Sequence, residues 1–281
     1  MVKLTYENKY GDRLDLTSNP FFFLINADGL TSAQADLAVT SMATMDMSFI
    51  NNAVVQKRTI AFDLQVKSGV NVEQAKRAIL SVIKPKQAGT LWMEFPDRVQ
   101  TIKGMVESID MPRFSKAVTL SVSFFCTSPF WEDAEEKLDT IDKDIDIHYW
   151  GSDQLYFTDE GIVLGMYSDS YTRTFLNYGD VAVGMTISII ATAPVQNPMV
   201  YNTQNNEYIK FAVSMEAGDE LIIDTRKGQK KAQLNGVNVL DKMVAGSTFI
   251  QLDVGEQEFT MTNDNEGEGA YFAISYHQQY V

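Results

Sequence analysis

The chain has 281 residues, 45% of them hydrophobic and 21% charged, which is enough apolar material for two modest folded units. With 37 acidic and 23 basic side chains its formal net charge is −14, which opposes binding to phosphate backbones and to anionic lipid. One cysteine and two histidines exclude a disulfide framework and leave almost no ligands for zinc, and no apolar run reaches the roughly 20 residues of a membrane span.

Met1 to Tyr10 lacks the apolar core of a secretory signal, so synthesis in a cytoplasm is expected. From there to Trp131 alternating apolar runs surround a single helix, which predicts a mainly β domain over residues 1–131. Between Thr40 and Lys57 the residues Met42, Met45, Met47, Phe49 and Ile50 show no clean period. A segment this long and apolar is not an ordinary turn, and it reads as an extended arm that packs on a neighbour, with those five residues as the candidate subunit interface.

Ile60, Phe62, Leu64 and Val66 alternate with Ala61, Asp63 and Gln65 and predict a strand. The helix follows from Asn71 to Pro85: Val72, Ala75, Ile79, Val82 and Ile83 share one face, Asn71 can cap the first free N–H groups, and Pro85 cannot extend the ladder. Leu91, Met93 and Phe95 predict the next strand. Val118, Leu120, Val122, Phe124 and Cys126 alternate over nine residues, which turns Cys126 into the core.

Glu132 to Asp146 holds eight acidic residues against Lys137 and Lys143, a density that resists burial and predicts a solvated connector over 132–147. Beyond it, glycine turn signals at 218, 228, 236, 246, 255 and 267 are spaced 10, 8, 10, 9 and 12 residues apart. That rhythm, with Asn235-Gly236 as the strongest two-residue hairpin signal, predicts short antiparallel strands over 148–281 in a β-sandwich of jelly-roll type. Phe249 to Leu252 is read as one of those strands.

Catalytic scaffolds are missing. There is no Gly-x-Gly-x-x-Gly after a strand, no phosphate-cradling Gly-x-x-x-x-Gly-Lys-Ser/Thr and no Gly-x-Ser-x-Gly elbow. Cys126 faces a core, His148 sits with Tyr149 and Trp150 as an aromatic anchor for the connector, and His277 reads as an exposed terminal residue. Asn263 to Gly269 offers hard oxygen ligands but departs from an EF-hand order, so it reads as a hairpin tip. Arg226 to Lys231 has no interleaved aromatic to stack on bases and reads as a solvated hairpin end. No enzyme activity, cofactor or metal is therefore expected. Trp150 and the tyrosines leave a carbohydrate-binding module as the alternative function, with host cell-wall glycan as its ligand.

Several ordered pieces resemble the siphophage distal tail protein family. They are Lys57-Arg-Thr-Ile-Ala-Phe-Asp-Leu64, the helix running into Ile83-Lys-Pro85, Thr90-Leu-Trp-Met-Glu-Phe95, Gly104 to Ile109, and Phe124-Phe-Cys-Thr-Ser-Pro-Phe-Trp-Glu-Asp133. In the second half the series continues with Asn197-Pro-Met-Val-Tyr-Asn202, Glu207-Tyr-Ile-Lys210, Asp224-Thr-Arg-Lys-Gly228 and Leu234-Asn-Gly-Val237. The resemblance implies an N-terminal β-sandwich-like domain that forms a ring and a galectin-like C-terminal sandwich at the periphery. It further implies a structural homo-hexamer at the tail tip of a virion, between the tail tube protein and the tail-associated lysin or adhesion protein. DNA would pass through such a ring without specific binding, as the acidic balance of the chain allows.

Overall fold

Alternation of apolar and polar residues builds most of this protein as strands. The structure, a computed structural model, describes residues 2–31, 34–41, 48–55, 57–111, 118–141, 157–158, 161–162 and 171–281. In chain order the first elements are β1 (Lys3–Asn8), β2 (Arg13–Asp15), β3 (Phe22–Asp28), β4 (Ala35–Ser41), β5 (Ser48–Val55), β6 (Thr59–Val66), the helix α1 (Val72–Val82), β7 (Ala88–Glu94), β8 (Val99–Asp110), β9 (Thr119–Cys126) and β10 (Trp131–Asp133). Then come β11 (Lys137–Ile141), β12 (Phe157–Thr158), β13 (Gly161–Ile162), β14 (Thr172–Asn177), β15 (Thr186–Ala191), β16 (Val195–Gln196), β17 (Met199–Asn202), β18 (Tyr208–Lys210) and β19 (Ser214–Met215). The last are β20 (Glu220–Asp224), β21 (Lys231–Leu234), β22 (Val237–Asn238), a short 3₁₀ turn (Leu240–Lys242), β23 (Gly255–Thr262), β24 (Ala270–Tyr276) and β25 (Gln279–Tyr280). Two compact units result, one of Met1–Glu135 with Gln279–Val281, the other of Glu136–Gln278. Glu132 and Asp133 lie in β10 and Lys137 opens β11, so strands of both units reach into the acidic stretch.

In the first unit the strand order is β2-β1-β7-β8-β9-β6-β3, with β10 beside β8 and the chain's last strand, β25, beside β10. Trp131 in β10 is 1% exposed, and the pairing of β25 is reinforced by Gln279 Nε2 donating to Glu132 Oε1 (2.9 Å) and Tyr280 Oη to Asp133 Oδ2 (3.2 Å). The helix starts where the sequence places it: Asn71 Oδ1 accepts from the N–H groups of Glu73 and Gln74 at 2.9 and 3.3 Å. It buries Ala75 and Ile79 and ends at Val82, while Ile83 is extended and enters the same core. Val72, the first residue of the helix, remains 36% exposed.

The centre of this sheet depends on two glycines. Gly89 of β7 and Gly104 of β8 are cross-strand partners. The Tyr6 ring lies across Gly89, the Phe124 ring lies across Gly104, and the two rings meet edge to face at 6.0 Å and 88°. A Cβ on either glycine would occupy space that a ring already fills. The Tyr6 hydroxyl has no partner among the described residues, and burial pushes its pKa up to about 12.

The second unit is a sandwich. A six-stranded sheet, β11-β24-β15-β20-β21-β22, faces a four-stranded one, β14-β23-β17-β18. Ile187, Ile189, Ile223, Phe272 and Ile274 from the first pack with Phe175, Val200, Ile209, Phe259 and Met261 from the second. Asn235 and Gly236 both have positive φ, 50° and 80°, and join β21 to β22 as the sequence predicts. Two expectations are corrected. Phe249 to Leu252 forms no strand; Ile250 and Leu252 are buried, and Leu252 makes only an isolated bridge to Val183. The segment Asn263 to Gly269 is not a hairpin tip, because β23 and β24 belong to different sheets and the loop crosses between them. Asn263 holds this crossing, its Oδ1 accepting from the N–H of Asn265 and Gly267 and its Nδ2 donating to the Glu268 carbonyl.

Asp224, at the end of β20, has a side chain 1% exposed and accepts from Arg226 Nε (2.9 Å), Nη2 (2.6 Å) and backbone N–H (3.0 Å). Burial alone would raise this carboxyl's pKa. The hydrogen bonds of Arg226 and the charges of Arg226 and Lys231 outweigh it and hold the pKa below the usual range. A folded pKa below the unfolded value contributes stability above the unfolded pKa, about 3.9, and loses it as pH falls through the folded one. The second unit should therefore melt at lower temperature as pH drops below about 4. Asp224→Asn should flatten that dependence in calorimetric scans and cost about 2 kcal/mol at neutral pH.

Candidate functional site

The arm is an antiparallel hairpin. β4 and β5 pair with each other and, among the described residues, with no other strand, and every residue of both is exposed. Register sorts its side chains onto two faces. Ala35, Leu37 and Val39 stand opposite Val55, Ala53 and Ile50 on one face; Asp36, Ala38 and Thr40 stand opposite Val54, Asn52 and Phe49 on the other. The first face is a continuous apolar stripe, with Leu37 53%, Val39 50% and Ile50 63% exposed. Asn51 is the extra residue of a β-bulge that brings Ile50 onto this stripe.

An isolated two-stranded hairpin is marginal in water, and an exposed apolar stripe marks an interaction site. Of the five residues predicted for the interface, Phe49 and Ile50 are on the arm but on opposite faces. Met42, Met45 and Met47 lie outside the described residues. Leu37, Val39, Val54 and Val55 join the arm's exposed apolar side chains without having been singled out. The alternation of Leu37 and Val39 was the signal available for two of them.

The arm is rooted at a buried point. Gly29, with φ +80°, approaches Thr59 so closely that a Cβ would lie 2.4 Å from its carbonyl oxygen. The next carbonyl, Leu30, accepts from both Trp131 Nε1 (2.9 Å) and Arg58 Nη1 (3.2 Å). Arg58 is 3% exposed, and desolvation lowers its pKa from the ordinary value. Cys126 lies in the same core; burial pushes its thiol up to about 12 against the opposing effect of Arg58's charge, so it is no nucleophile.

A second surface of the first unit is the outer face of β8, β9, β6 and β3. Register aligns Asp110, Ser121, Asp63 and Asn26 in one row and Ser108, Ser123, Ala61 and Asp28 in the next. Glu107, at the β8 bulge, accepts from Ser123 Oγ (2.9 Å). Asp63 likewise accepts from Ser121 Oγ. The two rows and the bulge carry four carboxylates among small side chains and no basic residue. Among the described residues, Lys103 of β8 is exposed on this face, and Lys57 over the Phe125 ring and Lys67 over the Phe23 ring stand at its margins. The four carboxylates give this patch a local negative potential that salt screens over roughly 8–10 Å.

The other sequence candidates disperse. Arg226 to Lys231 does form the β20–β21 hairpin end, with Arg226 spent on Asp224. His277 is half-buried rather than exposed, since the chain continues past it into β25. His148, Tyr149 and Trp150 lie outside the described residues. No group of three or more metal-ligating side chains occurs among the described residues, and no described helix is long and apolar enough to cross a membrane.

Residues 178–280 match the family described as siphovirus-type tail component, C-terminal domain. No curated protein matches at a significant level. Among solved structures, the fold over the whole chain is similar to that of the Dit protein of phage SPP1, described as a paradigm of the hub adsorption apparatus in phages infecting Gram-positive bacteria. The TM-score is 0.69, at 11% identity with 100% of both chains covered. A chain of the phage P2 baseplate in its activated conformation with calcium aligns at TM-score 0.49 and 12% identity, again over 100% of both chains.

Proposed function

We propose that this chain, whose residues 178–280 match the siphovirus-type tail component C-terminal domain family, is a structural hub of a phage tail tip that works by self-assembly and carries out no catalysis. The observation that carries the reading is the arm, a hairpin exposed along both strands with one apolar face and, among the described residues, no other strand paired to it. A ring of identical parts requires a heterologous contact, in which a patch on one copy meets a different patch on the next. In this reading six copies close the ring, the tail tube protein lies on one side and the tail-associated lysin or adhesion protein on the other.

The acidic face of β8, β9, β6 and β3 then lines the bore. Carboxylates on short side chains, spaced by serine and alanine, give a smooth negative wall that keeps DNA from sticking during passage. Light scattering on the purified protein tests the assembly, with an absolute mass six times that of one chain as the expected result. The bore is tested by replacing Asp63, Glu107 and Asp110 together with lysine. Rings should still form, because all three are surface residues, whereas virions carrying the variant should release DNA at least 10-fold more slowly through phosphate contacts. Unchanged release would remove the bore assignment.

A further inference from the structure

The first unit has a second unfinished surface, the outer edge of β3. That strand pairs with β6 on one side, and among the described residues nothing pairs on the other. Natural edge strands are shielded by lysine, by proline or by a covering element. β3 reads Phe-Phe-Leu-Ile-Asn-Ala-Asp and has none of the first two; its one irregularity is a bulge at Ile25. Phe23 and Ile25 are 52% and 53% exposed. Leu24 and Ala27, on the core side of the sheet, are only partly buried at the margin of the core.

We infer that the β4–β5 hairpin of a second copy adds to this edge, so that the arm of one subunit becomes the continuation of its neighbour's sheet. The inference rests on the self-assembly reading and names the surface that receives the arm. Donor and acceptor are both in one chain, both apolar, and both rich in unpaired backbone groups, which makes a second copy the occupant that the chain itself supplies. Because they are different patches, the contact is head to tail and can close a ring.

The faces match as well as the edges. Added in the plane of β3, the hairpin can turn Leu37, Val39 and Ile50 to the side where Leu24 and Ala27 await cover. Its other face, with Asp36, Thr40 and Asn52, then extends the polar surface that Asn26 and Asp28 begin. Phe49 comes to the same side as Phe23. Strand addition of this kind takes its affinity from main-chain hydrogen bonds and its specificity from alternate side chains.

Cysteine cross-linking tests it in the 281-residue chain, whose own Cys126 is buried. Protein carrying Asn26→Cys is co-assembled with protein carrying either Thr40→Cys or Asn52→Cys, then oxidised gently. A disulfide-linked dimer is expected for at least one of the two pairs, and none when the partner cysteine is Asn238→Cys in the second unit. Phe23→Lys with Ile25→Lys, at exposed positions, should lower melting by only a few degrees, through loss of the Lys67 contact with the Phe23 ring, and weaken self-association at least 100-fold. Assemblies of full mass in which neither pair cross-links, or which the two lysines leave intact, overturn the strand addition while self-assembly stands. A protein that stays monomeric at every concentration overturns both.

Discussion

Ile50→Asp combined with Leu37→Asp is expected to turn the assembled protein into folded monomers. Both residues lie on the apolar stripe of the arm and are more than half exposed in the isolated chain. Burying side chains of this size contributes about 1.5–3 kcal/mol each, and a carboxylate facing an apolar partner adds a desolvation cost of comparable size. At about 1.4 kcal/mol per factor of ten, the double variant should weaken association by roughly 1,000-fold or more. Melting should hardly move, since surface substitutions fall within about 0.5 kcal/mol. Phe49→Asp alone should do less than Ile50→Asp alone, because Phe49 stands on the mixed face beside Asn52 and Val54. Sedimentation velocity at matched concentrations separates them, and equal losses would refute a one-faced arm.

That contrast between neighbours was not legible in the sequence, and the reason is physical. β5 is interrupted by the Asn51 bulge, which reverses the parity of every residue before it, so Phe49 and Ile50 read as part of an aperiodic run. Where ladders are unbroken the reading succeeds. Leu120, Val122, Phe124 and Cys126 are all buried, and the helix from Val72 to Val82 starts at its predicted cap, since both depend on local chemistry. The acidic face is illegible for another reason. It is built from strands far apart in the chain, so that Ser121 meets Asp63 across 58 residues, and its pattern exists only once register is set. The crossing at Asn263 to Gly269 shows the same limit: asparagine and glycine announce a turn, but whether it joins strands of one sheet or of two is decided by packing. β25, two residues long, is too short to carry any period.

The resemblance to tail proteins ran through Gly104 to Ile109, and the structure supplies a reason for the glycine. A Cβ there would lie 2.3 Å from the Phe125 carbonyl oxygen and 2.8 Å from the Phe124 ring. One of those neighbours is backbone and cannot rotate away, so β9 itself would have to shift. Overpacking a well-filled core costs about 1–3 kcal/mol, and this site belongs at the upper end. Gly104→Ala should therefore lower the melting temperature of the first unit by about 10 °C, at roughly 3 °C per kcal/mol for a unit of this size, and leave the transition of the second unit in place. The nearest neighbours of a Cβ at Gly89 are the far end of the Tyr6 side chain, its hydroxyl at 2.5 Å. Tyr6→Leu should consequently recover stability in the Gly89→Ala background, whereas Phe124→Leu should fail to rescue Gly104→Ala because the carbonyl remains. Differential scanning calorimetry of the four proteins decides it, and rescue of both glycine variants would show that ring crowding alone, not strand approach, fixes the pair.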